Sequence, residues 1–426
     1  MKLKRLEIHN YKSLRNVVLE PAPLSVFVGP NAAGKSNFAD ALDFLGEVYR
    51  WDLEGAVQKK GGFENIYFRQ AARPGEAIWF RVAIEIPYTE WSSDPLVVSL
   101  AKLIQEKMPE GDIVFEHDFD LRIRPRGGAL FRIDSEEIRI FLSEEDAARR
   151  SLLHIIRDQR GLAIEGSERE DSLGHLFNIQ GYRDLLSNLP DSRLLLDVLK
   201  LLPFSSMAVP RSVAALRVFQ LSPQACRESG VPTPNADLDR FGKNLPAVID
   251  YLKRNEPQKF DELLNAVRWI MPTLESIETD FTHTKKLGLF LKESGVKQPW
   301  AAEDISDGTI QAIALLTATF DPRISILVIE EPENSVHPWA LRSFVEAFRA
   351  VSEKKQIFLT THSPILIDQV RPEELWVVQR PELETKITPV LELDPSLKDS
   401  WGRGKFTLSE YLDSGAVPAA VPAAGV

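Results

Sequence analysis

A glycine-rich octapeptide near the beginning of the chain has the residue types and spacing of a phosphate-binding loop. It fits the pattern Gly-x4-Gly-Lys-Ser and consists of Gly29, Pro30, Asn31, Ala32, Ala33, Gly34, Lys35 and Ser36. In such a loop the backbone N–H groups converge on a phosphate chain, the lysine ammonium reaches the terminal phosphates and the serine hydroxyl binds Mg²⁺. The octapeptide therefore predicts a site for a nucleotide and Mg²⁺. Asn37, directly after it, is included among the predicted nucleotide contacts.

Two consecutive carboxylates stand at the end of an apolar segment much further along the chain. Residues 324–329 read Ile-Ser-Ile-Leu-Val-Ile and are followed by Glu330 and Glu331. A parallel strand here delivers both acids to the edge at which open α/β sheets bind ligands. We assign Glu330 to the metal ion and Glu331 to the general base that activates the attacking water. Without the glycine loop, solvated acids at a capped strand end would be the better interpretation.

Two further segments carry groups that suit a phosphate. His362 comes two residues after a second predicted strand, 356–360. A histidine at that edge can donate to a γ-phosphate or orient the water. Ser306 and Gly308 precede an apolar helix predicted over 310–319, where an N-cap hydroxyl and free N–H groups form an anion cradle. Taken alone, these are an ordinary loop histidine and an ordinary helix cap. Their order after the glycine loop favours the functional interpretation.

The elements that hold these residues follow from apolar periodicity. Leu24–Val28 reads as a buried strand and residues 37–45 as a helix. Strand-like residues 3–9 and 16–20 lead into the loop and predict a mixed sheet around it. The predicted fold class is α/β. Four regions are predicted: an N-terminal lobe (1–143), a mainly helical insertion (144–270), a C-terminal lobe (271–414) and a disordered tail (415–426). The N-terminal lobe includes an antiparallel β-layer over about 77–140.

Composition places limits on the protein class. The chain has 426 residues, 44% of them hydrophobic, with a net charge of −11. An acidic chain does not have a surface that is basic throughout, so any nucleic-acid contact would be a local patch. Cys226 is the single cysteine, which excludes intramolecular disulfides and Cys-x-x-Cys zinc sites. The beginning of the chain has no signal-peptide pattern and no apolar run reaches the ~18 residues of a membrane helix, so we expect a cytoplasmic protein without a membrane partner.

Together, these motifs resemble the ABC-type ATPase heads of the RecF/SMC class, and most closely the stand-alone "AAA family ATPase" group, whose head is similar to that of OLD-type proteins. Residues 3–36 resemble the family's opening, which adds Lys12 to the predicted nucleotide contacts. Residues 29–36 match Walker A, 324–331 match Walker B, Ser306–Thr309 resemble the signature motif and His362 matches the switch histidine. Glu331–Pro338 is similar to the family's Glu-Pro-Glu…His-Pro D-loop.

The resemblance implies a mechanism. Two copies would sandwich two ATP–Mg²⁺ units head to tail, with Ser306 and Gly308 of one copy facing the γ-phosphate held by the other, and hydrolysis would release the dimer. Gln70 is the proposed Q-loop metal ligand. The chain departs from the pattern at Glu330, where the family often has Asp, and at Ala32-Ala33, where Gly or Ser is frequent.

Several functions remain open. The first is a nucleotide-driven clamp on DNA in repair or anti-phage defence, supported by eight arginines: Arg122, Arg124, Arg126, Arg132, Arg149, Arg150, Arg157 and Arg160. These are equally interpreted as a solvated charged face. The second is a regulatory switch for a separate effector, a nuclease or toxin, without DNA binding. We do not expect a transporter subunit, because of the long insert before the signature motif. We also do not expect a nuclease, because only some fifty residues with an ordered-looking sequence follow His362, which leaves little room for one.

Overall fold

The structure is a computed structural model, and it describes residues 2–68, 76–87, 114–127, 130–143, 149–166, 183–200, 213–404 and 406–415. Gln70 and residues 416–426 of the predicted tail lie outside the described residues. The chain divides into two compact units. The first unit comprises residues 1–21, 40–216 and 380–387, and the second comprises 22–39, 217–379 and 388–426.

The described chain contains runs of consecutive strands and, over residues 307–379, an alternation of helices and strands. The strands are β1 (Lys2–Tyr11), β2 (Leu14–Leu19), β3 (Leu24–Val28), β4 (Ile78–Pro87), β5 (Val114–Pro125), β6 (Phe131–Ser143), β7 (Arg150–Asp158), β8 (Gly161–Gly166), β9 (Leu216–Phe219), β10 (Leu274–Phe281), β11 (Leu287–Glu293), β12 (Trp300–Ala301), β13 (Ile326–Glu330), β14 (Gln356–Thr361), β15 (Leu375–Gln379) and β16 (Lys386–Pro389). The helices are α1 (Lys35–Arg50), α2 (Leu53–Lys59), α3 (Phe63–Ile66), α4 (Arg183–Ser187), α5 (Leu195–Leu199), α6 (Pro223–Cys226), α7 (Leu245–Asn255), α8 (Pro257–Ile270), α9 (Asp307–Phe320), α10 (Pro338–Val351), α11 (Pro364–Ile367), α12 (Val390–Leu393), α13 (Leu397–Gly402) and α14 (Leu408–Asp413).

A six-stranded sheet in the order β16-β15-β3-β14-β13-β9 carries the predicted site. Its strands β15, β3, β14 and β13 are parallel neighbours. Every residue of β3, β13 and β14 is buried, as expected of central strands covered on both faces. Thr361 lies opposite Val28, and Thr360 lies opposite Glu330. The glycine loop, the two acids and His362 therefore follow adjacent strand ends at one edge of the sheet.

A seven-stranded antiparallel sheet in the order β2-β1-β4-β5-β6-β7-β8 dominates the first unit. The antiparallel layer predicted over 77–140 is present, and it is larger than expected. The assignment of the first two strands to the sheet around the glycine loop was wrong, because β1 pairs with β2 on one side and with β4 on the other. The alternating burial of β2 suits a strand with one solvated face.

The region predicted to be mainly helical begins with two strands instead. Strands β7 and β8 pair as an antiparallel hairpin from Leu153↔Gly166 to Asp158↔Gly161. The β-branched pair Ile155-Ile156 favours a strand, and the Gly161 φ of +117° suits the tight turn. The helical prediction is correct further on, where α7 and α8 follow one another. The boundaries of the four predicted regions remain a prediction.

Helix α9 lies in the core of the second unit. All ten residues from Ile310 to Thr319 are buried, which is the pattern of a helix covered on every side. The core around it includes residues of β3, β13 and β14. Its first turn therefore has a fixed position with respect to the strands that end at the site. Within the part of the chain that the structure describes, no helix combines the length and apolarity that crossing a membrane requires.

Candidate nucleotide-binding and hydrolysis site

The glycine loop connects β3 to α1 and is shaped by two conformational requirements. A Cβ on Gly29 would lie 1.9 Å from the carbonyl oxygen of Val378 on the neighbouring strand, so a larger residue cannot occupy that position. Ala32 has a left-handed φ of +61°, which is uncommon for a residue with a side chain. Alternating left- and right-handed residues turn successive N–H groups toward one point and create an anion-binding concavity. The loop thus has the backbone form that its sequence predicts.

Lys35 is the first residue of α1, and the loop holds its ammonium group. Its Nζ donates hydrogen bonds to the carbonyl oxygens of Gly29 at 2.9 Å and Pro30 at 3.0 Å. Burial lowers the pKa of Lys35 to about 8, against the opposing influence of Glu331 and Glu333. A partly desolvated cation interacts more strongly with an incoming phosphate than one in water does. Ser36 follows at the exposed second position of the helix.

A cavity of about 740 Å³ opens at this edge of the sheet in the second unit. The loop residues Gly29, Pro30 and Asn31 line one part of it, and Glu331 and His362 line another. Its volume lies within the range of about 300–1,000 Å³ that is typical of small-ligand sites. The structure thus brings together the phosphate loop, the predicted general base and the predicted switch histidine around one space.

The two catalytic candidates are held by backbone as well as side-chain contacts. Glu331 has a left-handed φ of +48°, and its N–H donates to the carbonyl oxygen of Thr360 at 2.8 Å. Its Oε2 accepts a hydrogen bond from Asn334 Nδ2 at 2.9 Å. Burial lowers the pKa of His362, and the charge of Lys35 lowers it further. A neutral imidazole can both donate and accept a hydrogen bond, as the orientation of a water requires.

Glu333 is a site residue that the sequence did not identify. One of its oxygens, Oε1, accepts hydrogen bonds from Thr361 Oγ1 at 2.6 Å, from the His362 N–H at 2.9 Å and from the Ser363 N–H at 3.2 Å. It thereby fixes the backbone that carries the switch histidine, and it also lines the cavity. The Glu-Pro-Glu pattern of residues 331–333 was the available signal, because a second acid in a tight turn can reach the next strand end.

Ser306 and Gly308 are at the beginning of α9, as predicted, and neither lines the cavity of its own chain. Ser306 is the N-cap: its Oγ accepts from the Thr309 N–H at 3.3 Å and lies 2.9 Å from Thr309 Oγ1. A Cβ on Gly308 would lie 2.7 Å from the carbonyl oxygen of Ser335, so a glycine is required. This contact connects the helix start to the loop that begins at Glu331.

Arg227 anchors the same helix start. Its guanidinium donates to the carbonyl oxygens of Ala302 at 3.1 Å and Ile305 at 2.6 Å, and to Asp307 Oδ1 at 2.6 Å. Residues 302–307 are therefore fixed in position although most of their side chains are exposed. A preorganised, exposed helix start is suited to receive an anion from outside the chain.

The remaining predicted residues are placed elsewhere. Glu330 does not line the cavity: its side chain is 2% exposed, and its Oε1 accepts from Arg240 Nη2 at 2.6 Å. Lys12 belongs to the first unit, where its Nζ lies 2.5 Å from Asp40 Oδ2. Gln70 lies outside the described residues, so its predicted role stays a prediction.

The residues present fit a nucleoside triphosphate. The motif requires three kinds of contact to phosphate and metal. The loop, in which Ala32 is left-handed, supplies N–H groups, Lys35 supplies an ammonium and Ser36 supplies an exposed hydroxyl. Among the described residues no group of three or more His, Cys, Asp or Glu side chains is arranged to hold a metal ion.

A family model described as "AAA domain, putative AbiEii toxin, Type IV TA system" matches residues 24–368. That span covers most of the chain and includes the glycine loop, both acids and His362. The chain belongs to this AAA domain family. The chain is also 26% identical over 425 residues to the OLD nuclease of Thermus scotoductus, with 97% of this chain and 68% of that protein covered. The resemblance to an ATPase head shared with OLD-type proteins is thus confirmed, as is the α/β fold class.

Solved structures of SMC heads are also similar to this AAA domain protein. An SmcHead bound to the C-winged helix domain of ScpA is 12% identical with a TM-score of 0.48, covering 91% of this chain and 98% of that one. The SMC head domain from Thermotoga maritima is 13% identical with a TM-score of 0.41, covering 91% of this chain and 99% of that one.

Proposed function

We propose that this AAA domain protein binds ATP with Mg²⁺ at the cavity and hydrolyses it. The observation that supports the proposal is the convergence of Gly29–Asn31, Glu331 and His362 on one cavity. Glu331 accepts a proton from the attacking water, while His362 orients that water or donates to the γ-phosphate. As water bonds to the γ-phosphorus, the bond to the β–γ bridging oxygen breaks, and ADP and phosphate leave. The Lys35 ammonium stabilises the charge on the phosphates. Mg²⁺, when bound, would supply further charge neutralisation beside Ser36.

The experiment that tests hydrolysis is a comparison of ATP turnover between the wild type and Glu331→Gln. We expect the variant to lose at least about 100-fold in kcat, the contribution typical of a general base. Glu346→Gln, which changes an exposed carboxylate on α10, is the control and keeps wild-type turnover. Equal turnover of wild type and Glu331→Gln would exclude Glu331 as the base.

We further propose that two copies form the ATP-containing dimer. The support is that Ser306 and Gly308 lie at an exposed and preorganised helix start but not at the cavity of their own chain. An anion cradle placed in this way is useful when it meets a phosphate held by a second copy. In a head-to-tail arrangement each copy completes the site of the other, and a two-fold axis produces both sites together.

Two downstream functions follow from such a dimer. The relationship to a protein named a nuclease supports a clamp on DNA in repair or anti-phage defence. The net charge of the predicted basic patch, however, is reduced by neighbouring carboxylates. Six of the eight arginines lie within 4.0 Å of a carboxylate in the first unit: Arg122–Asp120, Arg124–Asp134, Arg126–Asp191, Arg132–Asp134, Arg149–Glu116 and Arg157–Glu136. An arginine that already pairs with a carboxylate contributes less net positive charge to a contact with a phosphate backbone. This observation favours the second function, an ATP-dependent switch that controls a separate effector.

DNA dependence separates the two functions. Turnover of the purified protein is measured without DNA and with single- or double-stranded DNA, at low and moderate salt. The switch predicts turnover that is indifferent to DNA, and the clamp predicts stimulation that declines as salt rises. A DNA-stimulated rate that is lost in Arg149→Ala and retained in Arg349→Ala would decide for the clamp.

A further inference from the structure

Helix α14 forms part of the wall of the nucleotide cavity. It contributes Ser409, Leu412 and Asp413 to the lining, and Glu331 and His362 line the same space. The neighbouring part of the wall comes from α11, the short helix directly after the switch histidine. Helix α14 lies beyond residues 24–368, the span that the family model matches. In the proposed ATP complex, this wall is at the end of the cavity where the γ-phosphate reacts.

Tertiary contacts fix the position of α14, which has only six residues. Leu408 and Leu412 are buried in the core of the second unit. The Tyr411 hydroxyl donates to Asp394 Oδ2 at 2.5 Å, and a capping box closes the beginning of the helix. A helix of this length is unstable by itself in water. Its packing against the second unit therefore determines where its cavity-lining side chains lie.

The same helix is attached to the segment that carries His362. The Ser409 N–H donates to Asp368 Oδ1 at 2.9 Å, and Asp368 is the residue directly after α11. At the other end of this segment, Glu333 Oε1 accepts from the His362 and Ser363 N–H groups at 2.9 and 3.2 Å. The switch histidine therefore lies on a short stretch of chain that is held at both ends, and α14 holds one of them.

From these contacts we infer that α14 is a binding and positioning element of the nucleotide site, through which the site distinguishes ATP from ADP. It closes the cavity beside His362, and the Ser409–Asp368 hydrogen bond holds the segment that brings the histidine to the γ-phosphate. ADP lacks this phosphate, so the binding of ADP does not depend on α14. The inference rests on the proposed ATP site and deepens it, because it assigns the recognition of the γ-phosphate in part to a helix outside the family match.

The test measures kcat and the affinities for two probes, ADP and the β,γ-imido analogue of ATP, each with Mg²⁺. Asp368→Ala removes the acceptor of the Ser409 N–H. We expect about tenfold weaker binding of the ATP analogue, the contribution of one hydrogen bond to a charged group, and an ADP affinity within about twofold of the wild type. We expect kcat to fall about 10- to 100-fold, because a small displacement of a catalytic group has a large effect. Asp368→Asn keeps an oxygen acceptor and should recover most of both losses.

Leu412→Ala tests the cavity wall independently, and Leu397→Ala is its matched control. Leu397, on α13, is buried in the same core but does not line the cavity. Both variants are expected to lower thermal stability through lost packing, and only Leu412→Ala should weaken binding of the ATP analogue relative to ADP. The double variant His362→Ala/Asp368→Ala should be no worse than His362→Ala, because Asp368 acts through the histidine.

Equal losses of affinity for ADP and for the ATP analogue in Asp368→Ala, or a loss for neither, overturn the inference. A Leu397→Ala variant with the same selective loss as Leu412→Ala also overturns it, as does a double variant that is clearly worse than His362→Ala. If one of Leu412→Ala and Asp368→Ala does not fold, the other still decides. A wild-type protein that binds neither probe would instead refute the proposed function.

Discussion

At the scale of single residues, Lys35 is the group on which the proposed binding of ATP depends most. Its ammonium is buried within the loop and bonded to two carbonyl oxygens, so that it can transfer to a phosphate without a large movement. We predict that Lys35→Met weakens ATP binding about 100-fold or more. The reason is that two charge-assisted hydrogen bonds from the ammonium to the phosphates, of about 1.5 kcal/mol each, are lost. Isothermal titration calorimetry with ATP and Mg²⁺ measures the change.

The chain offers a matched control for this prediction. Lys355 is also buried, its pKa is likewise lowered to about 8 by burial, and its Nζ donates to the carbonyl oxygens of Thr319 and Asp321. Lys355→Met is therefore expected to destabilise the end of α9 and leave the affinity for ATP unchanged. Retention of wild-type affinity in Lys35→Met would contradict the phosphate role of the loop.

The structure brings together predicted residues whose motifs are local. The glycine loop, Glu331 and His362 were named from short patterns, and the cavity brings all three together. Arg240 was not identified, because it meets Glu330 across ninety residues of chain and no local pattern encodes that contact. Glu333 was within a recognised motif, but its three hydrogen bonds to residues 361–363 depend on the tertiary position of β14.

At the scale of elements, the contact between the start of α9 and the loop after β13 links two parts of the proposed machinery. Gly308 packs against the carbonyl oxygen of Ser335, which itself has a left-handed φ of +60°. We predict that Gly308→Ala displaces this loop and lowers both ATP-dependent dimer formation and turnover by at least about tenfold, since a contact of 2.7 Å forces a backbone shift. ATP affinity at micromolar protein concentration should change little, because the Lys35 contacts remain.

The control for this variant is Gly402→Ala. An added Cβ at Gly402, the last residue of α13, meets no atom within 4 Å, so this variant is expected to be neutral or slightly stabilising. Analytical ultracentrifugation with ATP, together with turnover, compares the two. Normal dimer formation by Gly308→Ala would show that the helix start does not take part in the interface.

The errors in predicting elements have a common physical origin. Residues 150–166 have a short-range pattern that suits strands or helices, and tertiary pairing decides between the alternatives. Strand β1 was placed in the wrong sheet because its partner β4 begins almost seventy residues later. The parallel strands β3, β13 and β14 were predicted correctly because a continuous apolar run bounded by turn residues is a strong signal by itself.

At the scale of the whole molecule, one buried carboxylate makes stability depend on pH. Glu136 is completely buried in the first unit, where it accepts from the Leu195 and Leu196 N–H groups at 2.7 and 3.1 Å and pairs with Arg157 at 3.2 Å. Burial raises the pKa of Glu136 to about 7, although these contacts and Arg157 act in the opposite direction. Between the unfolded value near 4.5 and the folded value near 7, the folded state therefore binds more protons than the unfolded state.

The direction in which stability changes with pH follows from this difference in bound protons. We predict that the free energy of unfolding falls by on the order of 2–3 kcal/mol as pH rises from about 4.5 to 7, and that this contribution is constant at higher pH. Glu136→Gln should flatten the curve over the same interval. Urea unfolding at several pH values measures the free energy of unfolding of the wild type and of Glu136→Gln. Glu137→Gln, on the same strand, is the control. A decrease of the same size in the wild type, Glu136→Gln and Glu137→Gln would refute the assignment to Glu136.

The most direct test of the central claim is the molecular mass of Glu331→Gln in solution with ATP and Mg²⁺. We predict a monomer without nucleotide and a stable dimer with ATP, because the variant binds ATP at the glycine loop but cannot release the dimer by hydrolysis. The same measurement on the Glu331→Gln/Lys35→Met double variant should give a monomer under both conditions. A Glu331→Gln protein that binds ATP and remains monomeric at every concentration would contradict the head-to-tail dimer.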